Sequence, residues 1–218
     1  MGKLRLKPQN DQLNNLKWAS KVAIKLPMEF DASRLQEDLK TVEKLQRVSQ
    51  PGPYHNGEWA GVSLYSSGGI STKASPGPGF EPFQETDVLK KTPYFKEVLD
   101  GLLCPKLAVR LLWLPPEGKI GQHSDGIIGF NSGFLRLHIP VVTHPDVIFL
   151  ISNQRCSWQP GELWYGDFSQ VHSVENKSQI ERAHIVLDVE INDFILGLFP
   201  PDFIQAKRAT GISMRKPI

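Results

Sequence analysis

Apolar and polar residues repeat along this chain with two different periods, and the change falls near residue 106. Over residues 31–46, DASRLQEDLKTVEKLQ, Leu35, Leu39, Val42 and Leu45 share one face at helical spacing, which predicts an amphipathic helix. Ser33 and Gln36 form a candidate capping box at its start. A second helix is predicted after Thr92 and Pro93, a cap followed by a first-turn proline. There Phe95, Val98, Leu99 and Leu102 repeat at helical spacing until Cys104-Pro105 stops them. Between the helices, residues 50–84 are rich in Pro, Gly and Ser and hold one strand-like run, WAGVSLYS, so a single strand between long loops is expected. Such loops commonly overhang a site.

From Lys106 onward the period drops to two. KLAVRLLWL, FLRLHIPVV, DVIFLIS, GELWYGDF, VHSVEN and RAHIVLDVEI are each of strand length and are separated by turn residues. The fold class is therefore mainly β, a sandwich or barrel of jelly-roll type, with the two earlier helices packed on its outer face. VHSVEN follows GELWYGDF closely enough to run back alongside it. The tail after Asn192 opens with an apolar FILGLFPPDF, read as a short helix, and ends basic and exposed.

Composition narrows the partners. At 218 residues, with 40% hydrophobic and 22% charged residues, the chain suits one well-cored domain. Its 25 basic and 23 acidic residues give a net charge of +2 without a basic tract or an acidic tail. Small molecules or a protein are thus expected as partners, rather than nucleic acid or a membrane surface. Cys104 and Cys156 are too few for a disulfide framework and suit a reducing compartment. The N-terminus has no apolar run with a cleavage site, and no stretch reaches the roughly 20 apolar residues of a membrane span. The expectation is a soluble, cytoplasmic protein.

His123-Ser124-Asp125 places two ligand-type side chains at i and i+2, which extended backbone turns to the same side. Alone, the pair could as well be a surface turn. His172 is the candidate third ligand, because VHSVEN returns towards the same cavity. Two histidines and a carboxylate on one face of an octahedron leave three positions open, as in non-haem iron(II) oxygenases. In RAHIVLDV, Arg182, His184 and Val186 share one face while Ala183, Ile185 and Leu187 form an apolar outer one, so Arg182 points inward. A buried guanidinium needs an anion, and its planar fork suits the far carboxylate of a dicarboxylic acid. Arg136 and His138 share the inward face of FLRLHIPVV, although His138 serves equally as a core histidine with its hydrogen bonds satisfied. His144 falls in a turn, and His55 has no partner that can be placed.

In this order and spacing, HSDG, FLRLHIPV, PGELWYGDFSQVHSVEN and RAHIVLDV resemble the aspartyl/asparaginyl β-hydroxylase family, and within it the bacterial relatives that hydroxylate free L-proline. The resemblance covers residues 92–192. It implies a double-stranded β-helix, or cupin-like jelly roll, over those residues, an N-terminal extension of residues 1–91 packed on it, and a C-terminal tail of residues 193–218. It also implies iron(II), 2-oxoglutarate and O2, with His123, Asp125 and His172 as metal ligands. Arg182 would pair with the far carboxylate of 2-oxoglutarate, with Arg136 and His138 beside the co-substrate. The peptide-hydroxylating animal members lack the carboxylate ligand, so Asp125 favours the small-molecule branch and speaks against a halogenase. Hydroxylation of an amino acid or amino-acid-like molecule, with succinate and CO2 as co-products, is the expectation. Such a substrate needs a carboxylate clamp, for which Arg110 is the candidate, and Trp113, Trp59 or Trp164 could supply an apolar wall. Rival classes are a peptide hydroxylase of the same family and a metal-dependent cupin enzyme without 2-oxoglutarate, which has no use for an inward Arg182.

Overall fold

Strands with alternating apolar residues bury one face each, and a chain built of them is stable when two sheets stack over a shared interior. The computed structural model describes residues 17–212, apart from residues 57–58, 74, 78 and 127. Its strands are β1 (Ala23–Glu29), β2 (Val48–Ser49), β3 (Ala60–Ser67), β4 (Phe83–Glu85), β5 (Lys106–Leu114), β6 (Lys119–His123), β7 (Phe134–Val142), β8 (Val147–Ile151), β9 (Gln154–Cys156), β10 (Glu162–Gly166), β11 (His172–Asn176) and β12 (Arg182–Glu190). The larger antiparallel sheet runs β1-β10-β7-β12-β5-β3-β2, with β4 beside β3, and the smaller runs β6-β11-β8-β9. This is the mainly β, jelly-roll architecture that the strand pattern predicts and the double-stranded β-helix that the resemblance implies. Because β1 and β3 belong to the larger sheet, that sheet draws strands from both sides of residue 92.

One pairing differs from expectation. β11 does not run back along β10; it crosses to the smaller sheet and pairs with β6 and β8. The turn between β10 and β11 carries the chain over, with Asp167 N bonded to Val22 O and Ser152 N to Val171 O. β10 pairs instead with β1 and β7.

The outward faces of the central strands form one apolar cluster. Ala183, Ile185 and Leu187 of β12 join Leu135, Leu137 and Ile139 of β7 and Val109, Leu111 and Trp113 of β5. Helices α1 (Ala32–Val42), α2 (Asp87–Lys90) and α3 (Pro93–Gly101) cover them with Leu35, Leu39, Val88, Phe95 and Leu99. Burying each large apolar side chain contributes about 1.5–3 kcal/mol. The helix starts are not capped as the sequence suggests. Asp31 caps α1, accepting from Ser33 N and Arg34 N, while Gln36 reaches across to Val141 O. Thr92 turns its hydroxyl back to Val88 O and Leu89 O, and the first amides of α3 are bound by Asp38 of α1.

The C-terminal part forms two helices, α4 (Asp193–Gly197) and α5 (Pro201–Ala209), rather than one. Phe199 and Phe203 pack on Phe130 and Tyr165. The basic end of the tail, residues 213–218, and residues 1–16 lie outside the described residues. No helix among the described residues is long and apolar enough to cross a membrane. Cys104 and Cys156 are free, and burial pushes their thiols up to about 11 and about 12.

Candidate metal centre

His123 ends β6 and His172 begins β11, and the two are direct cross-strand partners. Asp125, two residues past His123, is fixed by its backbone N–H donating to Phe168 O at 2.8 Å. The three side chains thus converge, with one ligand atom from each lying within 4.8 Å of the others. His123 Nε2 stands 4.0 Å from one carboxylate oxygen of Asp125, and His172 Nε2 stands 3.9 Å from the other.

The tautomers are set for metal binding. His123 Nδ1 lies 2.9 Å from Gly121 O and His172 Nδ1 lies 3.0 Å from Gln170 O. A carbonyl can only accept, so each Nδ1 carries a proton, and Nε2 is the ring atom that each histidine turns to the centre. Burial lowers the His172 pKa further and keeps the ring neutral. Two neutral imidazoles and one carboxylate on one side of an ion are the donor set that iron(II) accepts in oxygenases. Tyr54 stacks flat on His123 at 4.7 Å, and the His172 ring sits 4.2 Å away on the same residue.

Three arginines face the interior from the larger sheet. Arg136 donates through Nε and Nη2 to Asp188 at 2.6 and 2.9 Å, and through Nη1 to Asp125. Arg136 and Asp188 are register partners across β7 and β12, so the pairing follows from the strand alignment. Burial alone would lower the Arg136 guanidinium, but Asp188 and Asp125 outweigh it and hold it above its ordinary value. Arg110 donates to Gln50 Oε1 at 3.0 Å and lies 3.7 Å from Asp188; burial, then repulsion from Arg136, takes its pKa to about 10.

Arg182 differs from both. It is 2% exposed, its Nη2 donates to His184 Nδ1 at 2.7 Å, and its Nε has no partner among the described residues. No carboxylate pairs with it there, and burial lowers its pKa to about 9. Arg182 lines the same interior cavity as His123 and His172, together with Arg110, Arg136 and His138. His138 is stacked on Phe168 at 4.9 Å, and burial followed by Arg182 holds its pKa well below the usual histidine range. Its Nε2 and that of His184 are also without partners among the described residues. A buried cation among orphaned polar atoms is the signature of a site shaped for an anionic ligand.

The structure therefore gathers His123, Asp125, His172, Arg182, Arg136, His138 and Arg110 around one interior, and it places Trp113 elsewhere. Trp113 is a correction to the expected substrate wall. Three positions after Arg110 on β5, it falls on the opposite face, in the outer core, with Arg47 stacked 4.1 Å from its ring centre. Trp59 is the tryptophan that reaches the cavity. Trp164 bonds Glu162 at 2.7 Å. Asp188 joins this interior unannounced by any motif, and its only signal in the sequence is its place on the Arg182-His184-Val186 face of β12. Gln50 and Tyr54 had no such signal, because they arrive on a loop. His144 stays in an exposed turn, bonded to Asp146 N. His55 lies 2.8 Å from Gln50 O.

The chain is 25% identical over 169 residues to an L-proline cis-4-hydroxylase of Rhizobium meliloti (strain 1021), covering 77% of this chain and 60% of that protein. It is 23% identical over 170 residues to L-proline cis-3-hydroxylase 1 of Streptomyces sp, covering 74% and 58%. The chain thus spans less than two thirds of the length of the curated relatives it matches. A solved structure of a 2OG-Fe(II) oxygenase family oxidoreductase from Burkholderia pseudomallei shares the fold, with a TM-score of 0.53 at 13% identity over 86% of this chain and 93% of that one. The family model for aspartyl/asparaginyl β-hydroxylase matches residues 29–191, and the chain belongs to that family.

Proposed function

We propose that this protein is an iron(II)- and 2-oxoglutarate-dependent hydroxylase of an amino acid or amino-acid-like small molecule. The observation that carries the reading is Arg182, a buried guanidinium without a carboxylate partner among the described residues, in one cavity with His123 and His172. The two relatives named as L-proline hydroxylases support the substrate class. When bound, iron(II) with 2-oxoglutarate and O2 supplies the oxidative chemistry that replaces C–H by C–OH, with succinate and CO2 as co-products. The chain's own residues bind, orient and exclude water. His123 Nε2, His172 Nε2 and Asp125 hold the metal. Arg182 anchors the far carboxylate of the co-substrate, its fork steadied by His184. Arg136 orients Asp125 and is itself locked by Asp188. His138 and Phe168 wall the interior against solvent. Buried thiols at Cys104 and Cys156 are compatible with a reducing, cytoplasmic setting.

Purified protein given iron(II) and then 2-oxoglutarate without oxygen should develop a weak visible charge-transfer band, and His172→Ala should neither retain iron nor show it. If wild-type protein shows no band the proposal fails, and iron kept by the variant removes His172 from the metal site. Succinate release with a candidate amino acid, paired with a product heavier by one oxygen, would establish turnover.

A further inference from the structure

On the outer side of the Asp125–Arg136 pair the barrel opens into a second cavity of about 650 Å³. Its walls are apolar: Phe83 of β4, Leu107 of β5, Phe134 of β7, and Ile128 from the segment after the metal loop. Phe83 and Leu107 belong to neither hydrophobic cluster of the protein, and both are half-exposed. Among the described residues, apolar surface is thus left uncovered inside a concavity that touches the proposed metal ligand Asp125, which is the composition of a ligand pocket rather than of a core.

The polar groups of this mouth are unequally occupied. Asp125 and Asp188 are engaged by Arg136, and Asp188 has Arg110 nearby as well. Glu190, two residues beyond Asp188 on β12 and half-buried on the wall of the cavity, has no ion-pair partner among the described residues. Arg110 lines the inner cavity and is not part of this wall. The charge left to be balanced at the mouth is therefore negative.

We infer that the mouth binds a substrate with an ammonium group held by Glu190 and an apolar body larger than proline lying against Phe83, Leu107 and Phe134. This rests on the hydroxylase reading above and narrows its substrate class. The cavity falls within the roughly 300–1,000 Å³ typical of sites for drug-sized ligands. Free proline would leave most of it to water and keep Phe83 and Leu107 wet, whereas a larger apolar side chain covers them.

The test uses the anaerobic wild-type protein with iron(II) and 2-oxoglutarate, titrated with glycine, L-proline, L-leucine, L-phenylalanine and N-acetyl-L-phenylalanine while the visible band is followed. L-Leucine and L-phenylalanine should perturb the band at concentrations about tenfold or more below L-proline, and N-acetylation should raise the half-saturating concentration by about tenfold. In Glu190→Gln the free and acetylated forms should become nearly equal. L-Proline matching the larger amino acids, the acetylated form matching the free one in wild type, or a band that none of the five moves overturns the inference, and the wild-type comparisons stand without the variant. Absence of the band before any amino acid is added refutes the iron and 2-oxoglutarate reading itself.

Discussion

Arg182 is buried with a histidine where a carboxylate would be expected, and its cost to the fold gives the co-substrate assignment a readout other than activity. A cation with a depressed folded-state pKa penalises folding while it is charged. The penalty is present at neutral pH, where burial lowers the guanidinium pKa yet leaves it charged. Replacing a buried ion pair by apolar side chains of similar volume is often neutral or stabilising by about 1–4 kcal/mol, and a buried cation with no carboxylate partner has no attraction to lose. Arg182→Met should therefore leave the ligand-free protein as stable as wild type or more so in urea at pH 7. The same variant should lose the stabilisation that 2-oxoglutarate gives wild type. A variant that unfolds earlier at pH 7 would mean that Arg182 has a structural partner and is not waiting for an anion. Arg136 predicts the reverse. Its removal strands Asp188, which is 3% exposed, beside the more distant Arg110. Arg136→Ala should cost about 3–5 kcal/mol in the same assay. A loss below about 1 kcal/mol would show that Arg110 alone satisfies Asp188.

At the scale of elements, strand parity was the most legible feature of the sequence. It placed Arg182, Arg136 and His138 inward and Ala183, Ile185 and Leu187 outward, as found. Applied to β5, the same rule puts Arg110 and Trp113 on opposite faces, so residue type alone does not bring Trp113 to the cavity. Other features depend on contacts that no local pattern encodes. β11 pairs with β6 because a turn changes sheets, and α3 is capped by a carboxylate more than fifty residues earlier in the chain. That cap is testable. Asp38 Oδ2 accepts from Tyr94 N at 2.7 Å and Phe95 N at 2.8 Å, in a place where Asp38 is 7% exposed. Its loss leaves two donors of the helix start without a partner in a buried junction. Asp38→Ala should lower stability by about 1–3 kcal/mol, and Thr92→Val should not mimic it through the cap, since Thr92 makes no cap hydrogen bond. Equal destabilisation with loss of protection at the Tyr94 and Phe95 amides in both variants would return the capping role to Thr92.

For the whole molecule, the division of ligands between the two sheets has an energetic consequence. His123 and His172 belong to the smaller sheet, while Arg182, Arg136 and Arg110 project from the larger one. On the proposed function, metal alone would tie together side chains of one sheet and the Asp125 loop, leaving the arginine uncompensated across the interior. 2-Oxoglutarate alone would meet Arg182 but find no metal at its other end. Only the pair spans both sheets with every charge opposed, so each ligand should bind more tightly when the other is present. A ligand at a hundred times its dissociation constant stabilises the folded state by about 2.7 kcal/mol. Thermal unfolding measured without oxygen for the metal-free protein, with iron(II), with 2-oxoglutarate and with both should show a combined shift larger than the sum of the separate ones. Arg182→Met should reduce the combination to the effect of iron alone. Strictly additive shifts in wild type would mean that the two ligands occupy independent sites, and would separate the arginine from the metal centre that the fold brings it to face.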